Sequence, residues 1–212
     1  MRHRPLVPAK KGRKMEIDEI KKAKTNRIGK KIEYYEQIDS THKYAQRIAE
    51  KENNRENDGK VIIAEVQTDG IGTKGRQWYT GKGKNIAMTI ILNTDKKAKD
   101  LKDLPIEVAK AIQKTIYDLY GYTLEIKLPN DLMLNGKKIC GILTQINTLG
   151  EEIQYILISF GFNVNEDDFV NYDSEEMKLK EIATSLKHEF KKEFKREEII
   201  AKILENIEKI EL

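Results

Sequence analysis

The segment 127–143 places a lysine, an amide and a carboxylate immediately before a hairpin signal. Pro129 fixes its own φ and biases the residue before it towards an extended conformation, so the side chains of Lys127, Asn130 and Asp131 leave a stiff stretch in set directions. A fixed cation beside an amide and a carboxylate suits an anionic substrate with a metal ion nearby. A charged corner with Asp131 as turn former is the structural alternative, because Pro-Asn-Asp is ordinary turn chemistry.

The loop 69–78 is the second candidate for chemistry, because Gly70, Gly72 and Gly75 match the spacing GxGxxG. A dinucleotide fold is not indicated, since a strand rather than a helix follows the loop. A P-loop is excluded because no Gly-Lys-Ser/Thr closes the motif. What remains is a mobile loop whose backbone amides approach phosphate closely, with Lys74 and Arg76 supplying charge. A plain glycine-rich hairpin loop is the alternative.

Composition and charge bound the class of protein. The chain has 212 residues, 39 % hydrophobic and 35 % charged, with a net charge of +4, which fits one domain with an appendage at most. Up to residue 31 there are twelve Lys and Arg against three acidic residues, so residues 1–31 are predicted to be a basic tail or linker, with residues 1–14 a flexible leader or a nucleic-acid arm. The single cysteine and the lack of a long apolar run predict a cytoplasmic protein with no membrane contact.

Hydrophobic periodicity places these motifs on a mixed set of elements. Strands are predicted at 32–38, 60–68, 85–92 and 151–165, and Asn135-Gly136 predicts a type I′ hairpin between two short strands. Helices are predicted to start at Ser40 or Thr41, to span 105–119 before Gly121, and to begin again at residue 196. Because strands come mostly in neighbouring runs, the fold class is α+β: one mixed sheet with helices mainly on one face.

Taken together, these motifs resemble the catalytic domain of the biotin–protein ligases over about residues 28–210. The family's Ser-Thr-Asn helix start is matched by 40–42, its Gln and glycine-arginine loop by 67–78, and its Lys-Trp-Pro-Asn-Asp by 127–131. Its Lys-x-x-Gly-Ile-Leu strand is matched by 138–143, and its Gly-Ile-Asn-Val-Asn end by 161–165. Each motif is moderately specific, and five in order form a strong pattern.

The resemblance implies a class II synthetase-like catalytic fold over 32–212 and a two-step ligase reaction. ATP and Mg²⁺ would activate biotin as biotinyl-5′-AMP, and a lysine of a biotin carboxyl carrier domain would then take the biotin. It implies that Lys127 is catalytic, bridging carboxylate and α-phosphate, and that Asp131 is a candidate metal ligand. The implied biotin-binding residues are Ser40, Thr41, His42, Gln67, Gly70, Trp78, Gly141 and Gly161. The implied nucleotide-binding residues are Ile71, Gly72, Thr73, Lys74, Gly75, Arg76, Asn130 and Asn163.

The chain also departs from the family pattern. Ile71 and Thr73 stand where the family loop carries arginines, so looser phosphate binding is expected, and a lone histidine at His42 is expected to be a surface helix residue rather than a catalyst. No helix-turn-helix or C-terminal barrel is recognised, so DNA binding is not expected. A lipoate or octanoate ligase or transferase of the same fold, and a non-catalytic biotin-binding relative, remain alternatives. Family members often pair through sheet edges, which makes a homodimer a candidate assembly.

Overall fold

A computed structural model describes residues 14–51, 54–167, 169 and 179–212. The helices of this part are α1 (Ile17–Ile20), α2 (Thr41–Lys51), α3 (Leu104–Tyr120), α4 (Leu179–Ile182), α5 (Leu186–Phe190) and α6 (Arg196–Ile207). The strands are β1 (Ile32–Tyr35), β2 (Val61–Ala64), β3 (Ile86–Leu92), β4 (Glu125–Lys127), β5 (Asp131–Leu134), β6 (Lys137–Leu149) and β7 (Glu152–Phe162). Short 3₁₀ turns occur at Asn54–Asn57, Thr73–Gly75 and Ala98–Leu101.

These strands form one mixed sheet of seven strands in the order β1-β2-β3-β7-β6-β5-β4. The β1–β2 pair is parallel and the other pairs are antiparallel. The predicted α+β class with a mixed sheet is therefore confirmed. The predicted strands 32–38 and 60–68 are shorter than expected, because β1 and β2 end at Tyr35 and Ala64 and meet again only at the bridge between Ile38 and Gln67.

Local turn chemistry accounts for two of the boundaries. Asn135 and Gly136 have φ values of 51° and 75°, the left-handed pair that a type I′ hairpin needs, and they join β5 to β6 as predicted. Gly121 ends α3 with φ 72°, and its N–H donates to the carbonyl of Tyr117, which confirms the predicted helix end. Strand β6 runs to Leu149, well beyond the predicted apolar run, because its polar second half is held by ladder bonds to β7.

The two faces of the sheet carry different layers. The larger core lies on one face, where α1, α3 and α6 cover alternate residues of the strands, such as Ile63, Met88 and Ile158. The other face carries only α2, whose Ala45 and Ala49 pack on Ile62 and Ile91. Helices therefore lie mainly on one face, as predicted, and the side with α2 is left partly open.

The basic segment before β1 is not separate from this core. Met15, Ile20 and Ile28 are buried in the larger core, and the backbone N–H of Met15 donates to Glu65 Oε1 at 3.3 Å. Residues 14–31, expected as a tail or linker, thus pack as part of the same domain. Of the predicted leader, residues 1–14, only Lys14 belongs to the described residues, where it pairs with Glu36 at 3.2 Å.

A buried ion pair anchors α6 to the sheet. Arg196 Nη1 and Glu65 Oε2 lie 2.8 Å apart, both almost fully buried. Burial raises the pKa of Glu65, but Arg196 and the hydroxyl of Tyr34 outweigh it and hold the pKa below its usual value. Among the described helices, none is long and apolar enough to cross a membrane.

Candidate functional site

The floor of the candidate site is a row of very small residues on the open face of the sheet. Gly141, Gly161 and Ala87 are register partners on β6, β7 and β3. The next row on that face, two residues along each strand, contains Leu143, Ser159 and Thr89. Because successive residues of a strand alternate between faces, the two rows form one surface, with a flat part over the glycines and hydroxyl groups beside it.

The N-terminus of α2 closes one end of this surface with neutral polar groups. Ser40, Thr41 and His42 are all buried. The backbone N–H and the hydroxyl of Thr41 both donate to Gln67 Oε1, at 2.9 and 3.1 Å. Gln67 follows β2, so the parallel β1–β2 pair brings the helix start and this amide together. Their side chains are held in one orientation by these bonds before any ligand binds.

His42 belongs to this hydrogen-bonded group and is not a surface residue. Its Nδ1 lies 2.8 Å from Ser159 Oγ and its Nε2 lies 2.7 Å from Gln145 Oε1, and the residue is 5 % exposed. The expectation of a surface histidine is therefore wrong, because α2 packs this position against β6 and β7. Burial lowers the pKa of His42, opposed in part by the bond to Gln145.

The glycine loop covers the flat part of the floor. The N–H of Trp78 donates to the carbonyl of Gly70 at 2.9 Å, and that of Gly72 to the carbonyl of Arg76 at 2.7 Å, so the loop closes on itself. A Cβ at Gly70 would overlap the carbonyl of Trp78, and a Cβ at Gly161 would overlap its indole. Both glycines are thus required by close contacts. The indole lies directly on the glycine floor.

A lysine and a carboxylate stand beside the indole. Lys138 Nζ lies 5.5 Å from the centre of the Trp78 ring and 2.7 Å from Asp131 Oδ1. The hairpin brings the two together, since Asp131 starts β5 and Lys138 lies near the start of β6. Within the described part of the chain, the buried indole Nε1 of Trp78 has no hydrogen-bond partner.

The structure places Lys127, the predicted catalytic residue, at the end of β4 with an exposed side chain. It follows Ile126 in the edge strand and precedes a cis peptide bond between Leu128 and Pro129. Asn130, three residues later, donates from Nδ2 to the carbonyl of Ile142 at 2.7 Å and reaches Thr73 Oγ1 at 3.5 Å. The amide of Asn130 therefore faces the candidate site, whereas Lys127 does not line it.

These groups line two adjoining cavities. The first is lined by eleven of the predicted site residues: Ser40, Thr41, His42, Gln67, Ile71, Gly72, Thr73, Trp78, Asn130, Gly141 and Gly161. The second adds two more of the predicted residues, Arg76 and Asn163. Gly72, Thr73, Trp78 and Lys138 line both, so the two cavities meet across the indole and the lysine.

The remaining predicted residues lie around these cavities. Gly70 and Gly75 belong to the loop but line neither cavity. Asp131 lines neither cavity and contacts Lys138, which lines both. Lys74 lies in the 3₁₀ turn Thr73–Gly75, but its side chain is outside the described part of the structure.

Sequence reasoning did not select several residues that line the site. Lys138, Ser159 and Leu143 line the first cavity, and Phe169 and Ile182 line the second. Lys138 could have been selected from the sequence, because it is the first residue of the Lys-x-x-Gly-Ile-Leu motif. Ser159 carries no local signal, since its place beside His42 depends on the register of β7 with β3 and β6.

Comparisons with known proteins identify the family of this chain. The model of the biotin/lipoate A/B protein ligase family matches residues 34–163. The bifunctional ligase/repressor BirA of Bacillus spizizenii is 35% identical over 188 residues, which cover 88% of this chain and 55% of that protein. The biotin–[acetyl-CoA-carboxylase] ligase of Paracoccus denitrificans is 33% identical over 109 residues, 49% of this chain and 43% of that protein.

A solved structure shows the same fold. The biotin protein ligase from Aquifex aeolicus, in complex with biotin and ATP, matches with a TM-score of 0.67 and 25% identity, covering 84% of this chain and 68% of that one. The chain spans about half the length of the curated relatives it matches. Since the family model covers more than half of the chain and includes α2, the glycine loop and the Lys127 to Gly161 segment, the chain belongs to the biotin/lipoate A/B protein ligase family.

Proposed function

We propose that this chain is an ATP-dependent biotin–protein ligase. In the first step the carboxylate of biotin attacks the α-phosphorus of ATP, and pyrophosphate leaves. In the second step the amine of a carrier lysine attacks the carbonyl carbon of the mixed anhydride, and AMP leaves. The observation that carries the proposal is the continuity of the two cavities across Trp78 and Lys138, because the bond between acid and phosphate must form where the two substrates meet.

The first cavity suits the acid. Its inner end offers neutral hydrogen-bonding groups, Thr41 and Gln67, and the indole of Trp78, which lies on Gly141 and Gly161, supplies an apolar wall. A ureido ring needs both donors and acceptors of this neutral kind. We place the carboxylate at the opposite end, beside Lys138, where a cation attracts it.

We propose that Lys138 contacts the reacting groups, which are the carboxylate of biotin and the α-phosphate of ATP. Its ammonium is partly buried and oriented by Asp131 and the indole of Trp78, while Lys127 is exposed. Catalysis of such a displacement depends on positioning and charge neutralisation, and a lysine between the two cavities can contact carboxylate and α-phosphate together. The role assigned to Lys127 by resemblance stays a prediction.

The second cavity suits the nucleotide. It is lined by apolar groups such as Phe169 and Ile182, which fit a base, and by Arg76 and the amide of Asn163, which fit polar groups of the ligand. Among the described residues, no group of three His, Cys, Asp or Glu side chains forms a metal cage. Asp131 supplies one carboxylate, which fits a magnesium ion that arrives with the phosphates of ATP.

The partner that this activity requires is a carrier domain with an acceptor lysine. The relative from Paracoccus denitrificans is named for such a carrier enzyme, and the chain's resemblance to it supports a carboxyl carrier domain as acceptor. We propose that the reaction takes place in the reducing cytosol, where the buried thiol of Cys140 stays free.

ATP–pyrophosphate exchange tests the proposal. The purified chain is supplied with ATP, Mg²⁺ and labelled pyrophosphate, together with biotin, lipoate, octanoate or no acid. Exchange that depends on biotin is the expected result. Exchange with lipoate or octanoate instead would show that the chain is a lipoate or octanoate ligase of the same family. Biotin binding without exchange would contradict the ligase and leave a binding protein.

A further inference from the structure

A series of buried hydrogen bonds runs from His42 to Gln67. Counting the protons available to it shows which group donates and which accepts in each bond. Four contacts run in series: His42 Nδ1 to Ser159 Oγ at 2.8 Å, Ser159 to Thr89 Oγ1 at 2.9 Å, Thr89 to Thr41 Oγ1 at 3.0 Å, and Thr41 to Gln67 Oε1 at 3.1 Å. The three hydroxyl groups between the ends hold one proton each. Four hydrogen bonds therefore need a fourth proton from one end of the chain.

The Gln67 end has no proton to give. The backbone N–H of Thr41 donates to the same atom of Gln67 at 2.9 Å, so that atom must be the amide oxygen and not the nitrogen. The fourth proton must come from Nδ1 of His42. With a proton on Nε2 alone, Ser159 would donate to His42, and Thr89 would have one proton for two contacts.

We propose that His42 is a positioning residue whose Nδ1–H heads this chain and thereby sets which groups in the cleft donate and which accept. Every hydroxyl then donates towards Gln67. Thr41 and Ser159, which line the cleft, have used their protons and offer a ligand only lone pairs. Gln67 has its oxygen saturated by Thr41, and its Nε2, which donates one proton to Thr80 Oγ1 at 3.5 Å, keeps a second proton for a ligand.

The resulting pattern selects a class of ligand. The lone pairs of Thr41 and Ser159 and the amide N–H of Gln67 complement a ring that carries N–H groups next to a carbonyl, as a ureido ring does, and offer little to an aliphatic acid. This step rests on the proposed function, since biotin supplies such a ring. Burial lowers the pKa of His42 and favours the neutral imidazole, whose Nε2 then accepts. The Gln145 atom 2.7 Å from Nε2 is placed as Oε1, so the proposal requires the oxygen and nitrogen of this amide to be exchanged.

Nitrogen NMR of the intact protein tests the tautomer without any ligand. The chain has three histidines, and comparison with His42→Asn assigns the signals of His42. At pH 7.5 we expect a proton on Nδ1 and none on Nε2. A neutral His42 with its proton on Nε2 would overturn the proposal, whether or not the protein binds biotin.

Calorimetry with biotin and with octanoate tests the consequence for binding. His42→Asn keeps an amide donor near the position of Nδ1, whereas His42→Leu removes it. We expect His42→Leu to weaken biotin binding about tenfold or more, His42→Asn to stay within about threefold of wild type, and octanoate binding to change less. Equal losses in both variants, or for both ligands, would contradict the positioning role.

A failure of the proposed function gives a different result. Wild-type protein that binds no biotin would reject the ligase, and the tautomer measurement would still decide the role of His42. The melting temperature of each variant separates a folding defect from a local change.

Discussion

The two ends of the first cavity are built in opposite ways. At the α2 end, Thr41, His42 and Gln67 are joined by buried hydrogen bonds, so their polar groups are fixed before a ligand arrives. At the glycine-loop end, the loop is held by a few backbone bonds, and its cover is an indole that has no hydrogen-bond partner among the residues that the structure describes. Fixed neutral groups suit recognition of an uncharged ring, whereas a loop with few bonds to the rest of the fold suits a charged intermediate that must be enclosed and later released.

The same contrast explains the distribution of charge. The α2 end faces the cavity with hydroxyl, amide and imidazole groups, and its histidine is kept neutral by burial. The loop end carries Lys138, with its ammonium paired to Asp131 at 2.7 Å, and Arg76 beyond it. Ile71 and Thr73 leave this end with fewer cations than the family pattern has, so the proposed reaction would depend more on the charge of Lys138.

The largest expected effect is at that lysine. Lys138→Ala should lower the rate of biotin-dependent pyrophosphate exchange by about a hundredfold or more, because it removes the cation from the point where the cavities meet. Lys138→Arg keeps the charge and should lose less. Lys127→Ala is the matched comparison, since the residue belongs to the neighbouring motif but is exposed. A larger loss in Lys127→Ala would restore the assignment made from the sequence.

An intermediate effect is expected at the floor beneath the loop. Gly161→Ala places a methyl group where the indole of Trp78 lies, so the indole must move, and overpacking of this kind costs about 1–3 kcal/mol. Trp78 is the only tryptophan of the chain, so its fluorescence reports the displacement as a red shift.

Gly72→Ala is the control for that substitution. A Cβ at Gly72 would meet its nearest atom, the carbonyl oxygen of Arg76, at 3.5 Å, an ordinary contact. We expect little change in fluorescence. An unshifted spectrum in Gly161→Ala would mean that the indole does not lie on the glycine floor in solution.

The smallest effect is expected at the α2 end, as a pH dependence of stability. Because burial lowers the pKa of His42 in the folded state, the unfolded state binds the proton more readily below about pH 6.5. Stability from the neutral imidazole is therefore present above this pH and is lost as the pH falls. Urea denaturation should show that wild type loses more stability than His42→Asn between pH 7.5 and 5.5. Parallel losses would show that His42 does not titrate with folding.

Much of the site was determined by the sequence alone. Short-range chemistry predicted the Asn135-Gly136 turn and the end of α3 at Gly121, because left-handed backbone positions depend on the residue itself. The order of the motifs indicated the family, which the family model confirms. Thirteen of the predicted binding residues line one of the two cavities.

Only the tertiary structure decided which groups meet. Lys138 rather than Lys127 reaches the cleft because of the hairpin register of β5 with β6, and Ser159 reaches His42 because β7 lies between β3 and β6. Such pairings follow from strand order and from which face of a strand is covered, and no local pattern encodes them. The sequence therefore determined the turns and the family, whereas packing of α2 onto the sheet decided that His42 is buried and heads a hydrogen-bond chain.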